Sequence, residues 1–190
     1  NVLALIAVPC WKKGPREDLQ KRLLAKVPVK EPLDDAFITH TLYNMESDRI
    51  ISTMRSYGIS YEQNCKFHVL LCPTYLDGKD GIFNLTYYDW LIGNDFCLYP
   101  SYYEPWGYTP LESLAFSIPT ITTNLAGFGI WTKQFAKSLN DGIEVITRTD
   151  SNQYEAAVAI ANAMHQFSTK STKEVEKIRA AALKLSKTAQ

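Results

Sequence analysis

Charge of one sign is missing from this sequence: 20 Lys plus Arg stand against 20 Asp plus Glu, for a formal net charge of +0. Without a basic field there is no long-range attraction toward nucleic acid or an anionic membrane, so neither is expected as a partner. Long apolar runs are missing too, since no stretch approaches the roughly 20 residues needed to span a bilayer. Residues 1–9 carry neither a basic leader nor a small-residue cleavage site and read as a buried strand. Cysteine is scarce. Cys10, Cys65, Cys72 and Cys97 lie in or beside apolar segments without the short paired spacings of a zinc site, so free, mostly buried thiols are expected, with no metal. A chain of 190 residues does not depend on disulfides for its core, which fits a reducing, cytoplasmic setting. His40, His68 and His165 are far apart and form no ligand-spaced group; His68, mid-strand, is expected in the core. Internal repeats and low-complexity segments are absent.

What the sequence does contain is alternation. Apolar runs of strand length occupy residues 2–8, 37–39, 67–71, 96–99, 120–122 and 143–147. Helical stretches are expected over 16–26, 48–57, 85–92, 110–117, from Gly129 to about Ser138, and over 152–167 and 172–187. Gly14-Pro15, Pro73 and the Asp- and Gly-rich residues 77–81 punctuate the pattern. The strands are near-continuous apolar runs, as parallel strands covered on both faces should be. The expected fold is therefore α/β, a Rossmann-like parallel sheet flanked by helices, as a single domain over residues 1–190.

The richest chemistry lies in Tyr102-Tyr103-Glu104-Pro105-Trp106-Gly107-Tyr108-Thr109-Pro110-Leu111-Glu112, where two carboxylates bracket a turn between a strand and a helix. In an open parallel sheet such loops lie at the carboxyl ends of the strands, where ligands bind. The helix that follows offers unpaired N–H groups and a partial positive charge to a phosphate. Thr109 reads as the helix cap and Pro110 as the first helical residue. Each residue also has a plainer reading. Thr109 and Glu112 have the spacing of a capping box, Glu104 could be a solvated loop carboxylate, and Trp106 to Thr109 could be a packed aromatic turn. Tyr87 and Tyr88, in an aromatic helix, could be packing residues, and turn geometry suffices for Gly127 and Gly129.

This segment, extended through Ser113 to Asn124-Leu125-Ala126-Gly127-Phe128-Gly129, closely resembles the donor-site signature of glycogen synthases that use uridine diphosphate glucose, UDP-glucose. Ile38-Thr39-His40, Asn44, Ser47-Asp48 and Ile51-Ser52-Thr53-Met54-Arg55 resemble an upstream block of the same family, so the likeness covers roughly residues 36–131 and is weak at the ends. The resemblance implies the C-terminal, nucleotide-sugar-binding lobe of a two-lobed, retaining, metal-independent glycosyltransferase of the GT-B type. It further implies a glucosyl transfer from UDP-glucose to the nonreducing end of an α-1,4-glucan such as glycogen, with no cofactor besides the donor.

By the same resemblance Glu104 belongs in the glucose pocket, stabilising charge at the anomeric centre, and Glu112 holds the ribose hydroxyls. Backbone N–H groups of Trp106, Gly107, Tyr108 and Thr109 cradle the diphosphate, and Tyr87 stacks on the base. The family's acceptor-holding lobe and its diphosphate-gripping Arg and Lys match nothing here. A fragment of a larger enzyme, inactive by itself, is the expectation, and the family leaves room for an oligomer. The basic residues of the tail, Lys170, Lys173, Lys177, Arg179, Lys184 and Lys187, are interspersed with Glu174 and Glu176 and read as a solvated helix face, not as a sugar-phosphate sensor. A GT-B enzyme with another acceptor and a non-catalytic sugar-nucleotide-binding module both remain open on sequence grounds.

Overall fold

A computed structural model describes residues 2–25, 31, 33–59 and 66–189; Cys65 and the end of the helix expected over 16–26 lie outside them. The chain forms two compact units, Asn1–Asp89 and Trp90–Gln190. In the first unit the elements are β1 (Val2–Ala7), β2 (Lys12–Pro15), α1 (Glu17–Leu24), β3 (His40–Leu42), α2 (Arg49–Ser56), β4 (Phe67–Cys72) and the start of α3 (Tyr87–Ile92). β1 and β4 pair in parallel, Val2 opposite Phe67 and Ala7 opposite Cys72. Ile38 joins Leu71 through a single parallel bridge. The core gathers around Phe37, Ile38, Leu42, Ile51, Met54 and Leu71. Asp48 caps α2 by accepting from the N–H groups of Ile50 and Ile51.

Expectations change at several points in this unit. The strand at residues 2–8 is not buried: Val2, Leu3, Leu5 and Val8 are all exposed. An apolar run reports extended backbone, whereas depth depends on what covers both faces, and here α1 buries no residue. The short extended piece at 37–39 is present as the bridge from Ile38 to Leu71, and the chain runs on into β3, His40–Leu42, which pairs antiparallel with β2 across a register shift between Lys12 and Gly14. Gly14-Pro15 suggests a turn, but Pro15 ends a short strand, where a missing N–H is tolerated. His68 is half-buried and not a core residue.

The second unit holds β5 (Cys97–Leu98), α4 (Tyr108–Ala115), β6 (Thr120–Thr123), α5 (Gly127–Thr132), a 3-10 turn at Leu139–Asp141, β7 (Ile143–Ile146), α6 (Gln153–Ser168) and α7 (Thr172–Ser186). β5, β6 and β7 form a parallel sheet in that order. On one face Ile143 packs with Leu114 of α4, Phe128 of α5, and Ala182 and Leu185 of α7. On the other, Ile121 and Ile146 pack with Ala156 and Ala163 of α6. Helices on both faces make this an α/β, Rossmann-like arrangement, and they explain why Thr120–Thr123 is buried throughout. Gly142 turns the chain into β7 with φ of 95°, and a Cβ there would stand 2.4 Å from the Ala182 backbone, so the turn seats directly on α7. The helix expected from Gly129 to Ser138 instead begins at Gly127 and ends at Thr132.

Candidate functional site

β5 delivers the chain to the carboxyl edge of its sheet, and residues 100–107 form the loop to α4. Main-chain bonds fix this loop to its neighbour. Tyr99 N–H donates to Ile121 O at 2.8 Å, and Glu104 N–H to Leu125 O at 3.2 Å. In return Gly127 N–H donates to Glu104 O at 3.1 Å and Phe128 N–H to Trp106 O at 2.7 Å. The Thr123 hydroxyl adds a 2.6 Å bond to Ser101 O. Glu104 and Ala126 make a parallel bridge, so the loop continues the pairing of the sheet beyond β6. The backbone at Glu104 is thus set by the strand beside it, while its side chain remains exposed.

Gly127 and Gly129 have a stronger reason than turn geometry, since both lie inside α5 where the loop and β6 press against it. A Cβ on Gly127 would lie 2.2 Å from Pro105 O, and one on Gly129 would lie 2.1 Å from Thr123 O. No side chain fits at either position. Trp106 is half-buried and packs edge-on against Phe128, ring centroids 5.6 Å apart, with Trp131 at 6.2 Å. Its ring anchors the loop.

The start of α4 departs from the expected cap. Gly107, in the left-handed region at φ 98°, is the capping residue, with no side chain to cap with. Thr109 therefore lies within the first turn, and the Thr109/Glu112 capping box does not form at the helix boundary. Pro110 sits in the first turn, where the N–H it lacks would have no intrahelical partner. A Cβ on Gly107 would come within 3.3 Å of Glu104 Cγ, so the Glu104 side chain lies directly over this glycine. Tyr108 and Thr109 are exposed, Gly107 is buried and Glu112 is half-buried. The structure thus brings Glu104, Trp106, Gly107, Tyr108, Thr109 and Glu112 together around one helix start. Ser113 ties that helix back to β5, its hydroxyl 2.8 Å from Tyr99 Oη and bonded to Thr109 O at 3.1 Å.

Tyr87 belongs to the other compact unit, where it is half-buried with its ring 5.3 Å from that of Tyr88. Its N–H donates to Leu76 O at 2.9 Å. Among the described residues no cluster of three or more His, Cys, Asp or Glu is arranged to hold a metal ion, and Cys10, Cys72 and Cys97 are free thiols. No helix among them is long and apolar enough to cross a membrane. In the tail, Lys173, Lys177, Lys184 and Lys187 are exposed, whereas Arg179 is half-buried and pairs with Asp95 at 3.3 Å.

Sequence reasoning passed over Arg148 and Asp150. Both follow β7 at the carboxyl edge of the sheet and reach the 100–107 loop. Their position just past a buried strand was the available signal.

A parallel sheet with helices on both faces, carrying a carboxylate-bearing loop and a glycine-led helix start at the carboxyl ends of its strands, belongs to the class of Rossmann-like α/β units. The family model described as Glycogen synthase matches residues 16–189. The chain belongs to the glycogen synthase family. That match reaches well beyond the 36–131 stretch carrying the motif resemblance, through the C-terminal helices. The chain is 29% identical to a glycogen (starch) synthase of Neurospora crassa over 157 residues, covering 82% of this chain and 22% of the relative. It is 29% identical over 161 residues to isoform 1 of Saccharomyces cerevisiae, covering 82% and 22%. It is 30% identical over 137 residues to the liver enzyme of Homo sapiens, covering 72% and 20%. The chain thus spans about a fifth of the length of these relatives.

Proposed function

We propose that this chain is the donor-binding lobe of a retaining hexosyltransferase that moves glucose from UDP-glucose to the nonreducing end of an α-1,4-glucan, with an upstream lobe holding the glucan. Family membership supports the reaction class, and the relatives are named glycogen (starch) synthases. The observation that carries the site is the Glu104 side chain lying over Gly107 at the start of α4.

In this reading the N–H groups from Trp106 to Thr109, with the partial positive charge of the helix start, hold the donor diphosphate and stabilise it as it departs. Glu104 meets the glucose and stabilises positive charge at the anomeric carbon. Glu112 takes the ribose hydroxyls. Holding the diphosphate by N–H groups calls on no metal and no cofactor besides the donor. Catalysis then comes from orientation and from electrostatic stabilisation of the departing group. A cytoplasmic setting fits the free thiols Cys10, Cys72 and Cys97. The interspersed charges of α7 favour a form without sugar-phosphate activation.

Glu104→Ala in the full-length protein tests the assignment. A carboxylate acting in the transition state should cost about 100-fold in kcat while donor KM moves only a few-fold. A raised KM with unchanged kcat would remove Glu104 from the chemistry.

A further inference from the structure

Arg148 lies two residues past the end of β7, and its contacts converge on the loop that carries Glu104. Nη1 donates to Pro100 O at 2.6 Å. The guanidinium lies over the Tyr102 ring, 5.0 Å from its centroid, and the Tyr102 hydroxyl donates to the Asp150 carboxylate. The Arg148 main-chain N–H donates to Asn124 Oδ1 at 2.5 Å. One residue therefore ties together the loops that follow β5, β6 and β7, grasping the first half of the loop through Pro100 and Tyr102.

Stability alone does not explain this cluster. Arg148 Nε is buried with no hydrogen-bond partner among the described residues, which is a cost. Asp150 and Tyr102 are both exposed, and exposed polar pairs contribute little. A well-packed apolar side chain would hold the region together at least as well. What the arginine supplies is direction: a planar fork that stacks on a ring and bonds a carbonyl at once. Glu104 lies two residues from Tyr102, and its main chain is already fixed on the opposite side by Leu125 and Gly127.

We propose that Arg148 is a positioning residue for glucosyl transfer: through Pro100 and Tyr102 it holds the loop so that Glu104 stands where the anomeric carbon reacts, without touching the donor itself. This rests on the reading of Glu104 given above. Asp150 acts with it by holding the Tyr102 hydroxyl.

A double-mutant cycle in the full-length protein tests the idea. Because small misplacements at a reacting centre are expensive, Arg148→Ala should lower kcat about 10- to 100-fold, with donor KM changed less than about threefold. Combined with Glu104→Ala, it should cost less than about twofold more, because a residue acting through Glu104 has nothing left to position. Tyr102→Phe, which keeps the ring and loses the bond to Asp150, should give a smaller loss of about threefold and the same non-additivity. Full multiplication of the two losses would overturn the proposal, as would a raised KM with unchanged kcat. If Arg148→Ala fails to fold, the Tyr102→Phe cycle decides alone. The controls separate two failures: a fully active Glu104→Ala variant sinks the site assignment and this inference with it, whereas an impaired Glu104→Ala beside a fully active Arg148→Ala sinks only the positioning role.

Discussion

His40 is fully buried in the first unit. Nε2 meets Asp80 O at 2.9 Å, which requires a donor there, and Nδ1 faces the Thr39 hydroxyl at 2.8 Å. Burial holds the imidazole below its ordinary value of 6.5; the bond to the Asp80 carbonyl opposes this, and the charge of Lys12 adds to it. Lys12 and the Asp80 carboxylate are the charged groups that face the ring. The unfolded chain takes up the proton as pH falls through about 6.5, while the folded ring stays neutral to lower pH. The contribution is therefore complete above the unfolded value and is lost as pH falls from there toward the depressed folded value. Asp35 and Asp80 have carboxyls held below their ordinary 3.8, so they titrate outside this window. The melting temperature should fall between about pH 7 and pH 5, and His40→Gln should flatten that slope. Equal slopes in the two proteins would show that His40 is not responsible. The sequence marked His40 only as part of a family block, because its partner Asp80 lies 40 residues away.

At the scale of elements, the contact between the 100–107 loop and the first turn of α5 matters most. Placing a methyl group on Gly127 brings it to 2.2 Å from Pro105 O, a main-chain atom that cannot move without moving the loop. Gly127→Ala should cost about 1–3 kcal/mol of stability, as forced overpacking does. It should also lower kcat, because the Glu104 carbonyl and the Trp106 carbonyl both bond to this turn. Thermal melts and initial rates would check both; a variant matching the wild type in each would mean that loop and helix adjust independently. The order of elements was legible here, since α6 and α7 are long and β7 is mostly apolar. It was less reliable at their boundaries. α5 begins earlier than expected because the glycines serve close packing inside the helix. α4 is led by Gly107, because the loop geometry places a left-handed residue just before it. A threonine three residues ahead of a glutamate signals a cap only when the chain enters the helix at that point.

For the whole molecule, the likeness to relatives and the fold support each other from separate grounds. The alternation of apolar runs and helices already argued for parallel strands, and the motif argued for a donor site. Neither could reveal β2, whose Gly14-Pro15 looks like a turn, or the exposure of β1, which depends on what packs against it. Arg148 was equally hidden, since its bond to Pro100 spans 48 residues of sequence. What short-range pattern could reach was the loop and its carboxylates; what it could not reach was the set of distant groups holding them.

Under this proposal the unit from Trp90 onward receives a uridine nucleotide. Calorimetric titration with UDP and, in parallel, with ADP tests it most directly, on the 190-residue chain and on the full-length protein, each repeated with Glu112→Ala. Saturable UDP binding that exceeds ADP binding, and weakens about 10-fold or more when Glu112 is removed, is the predicted result, since bonds to a charged group contribute about 1.5–3 kcal/mol each. Absence of UDP binding by the full-length protein, or UDP binding indifferent to Glu112, would contradict it.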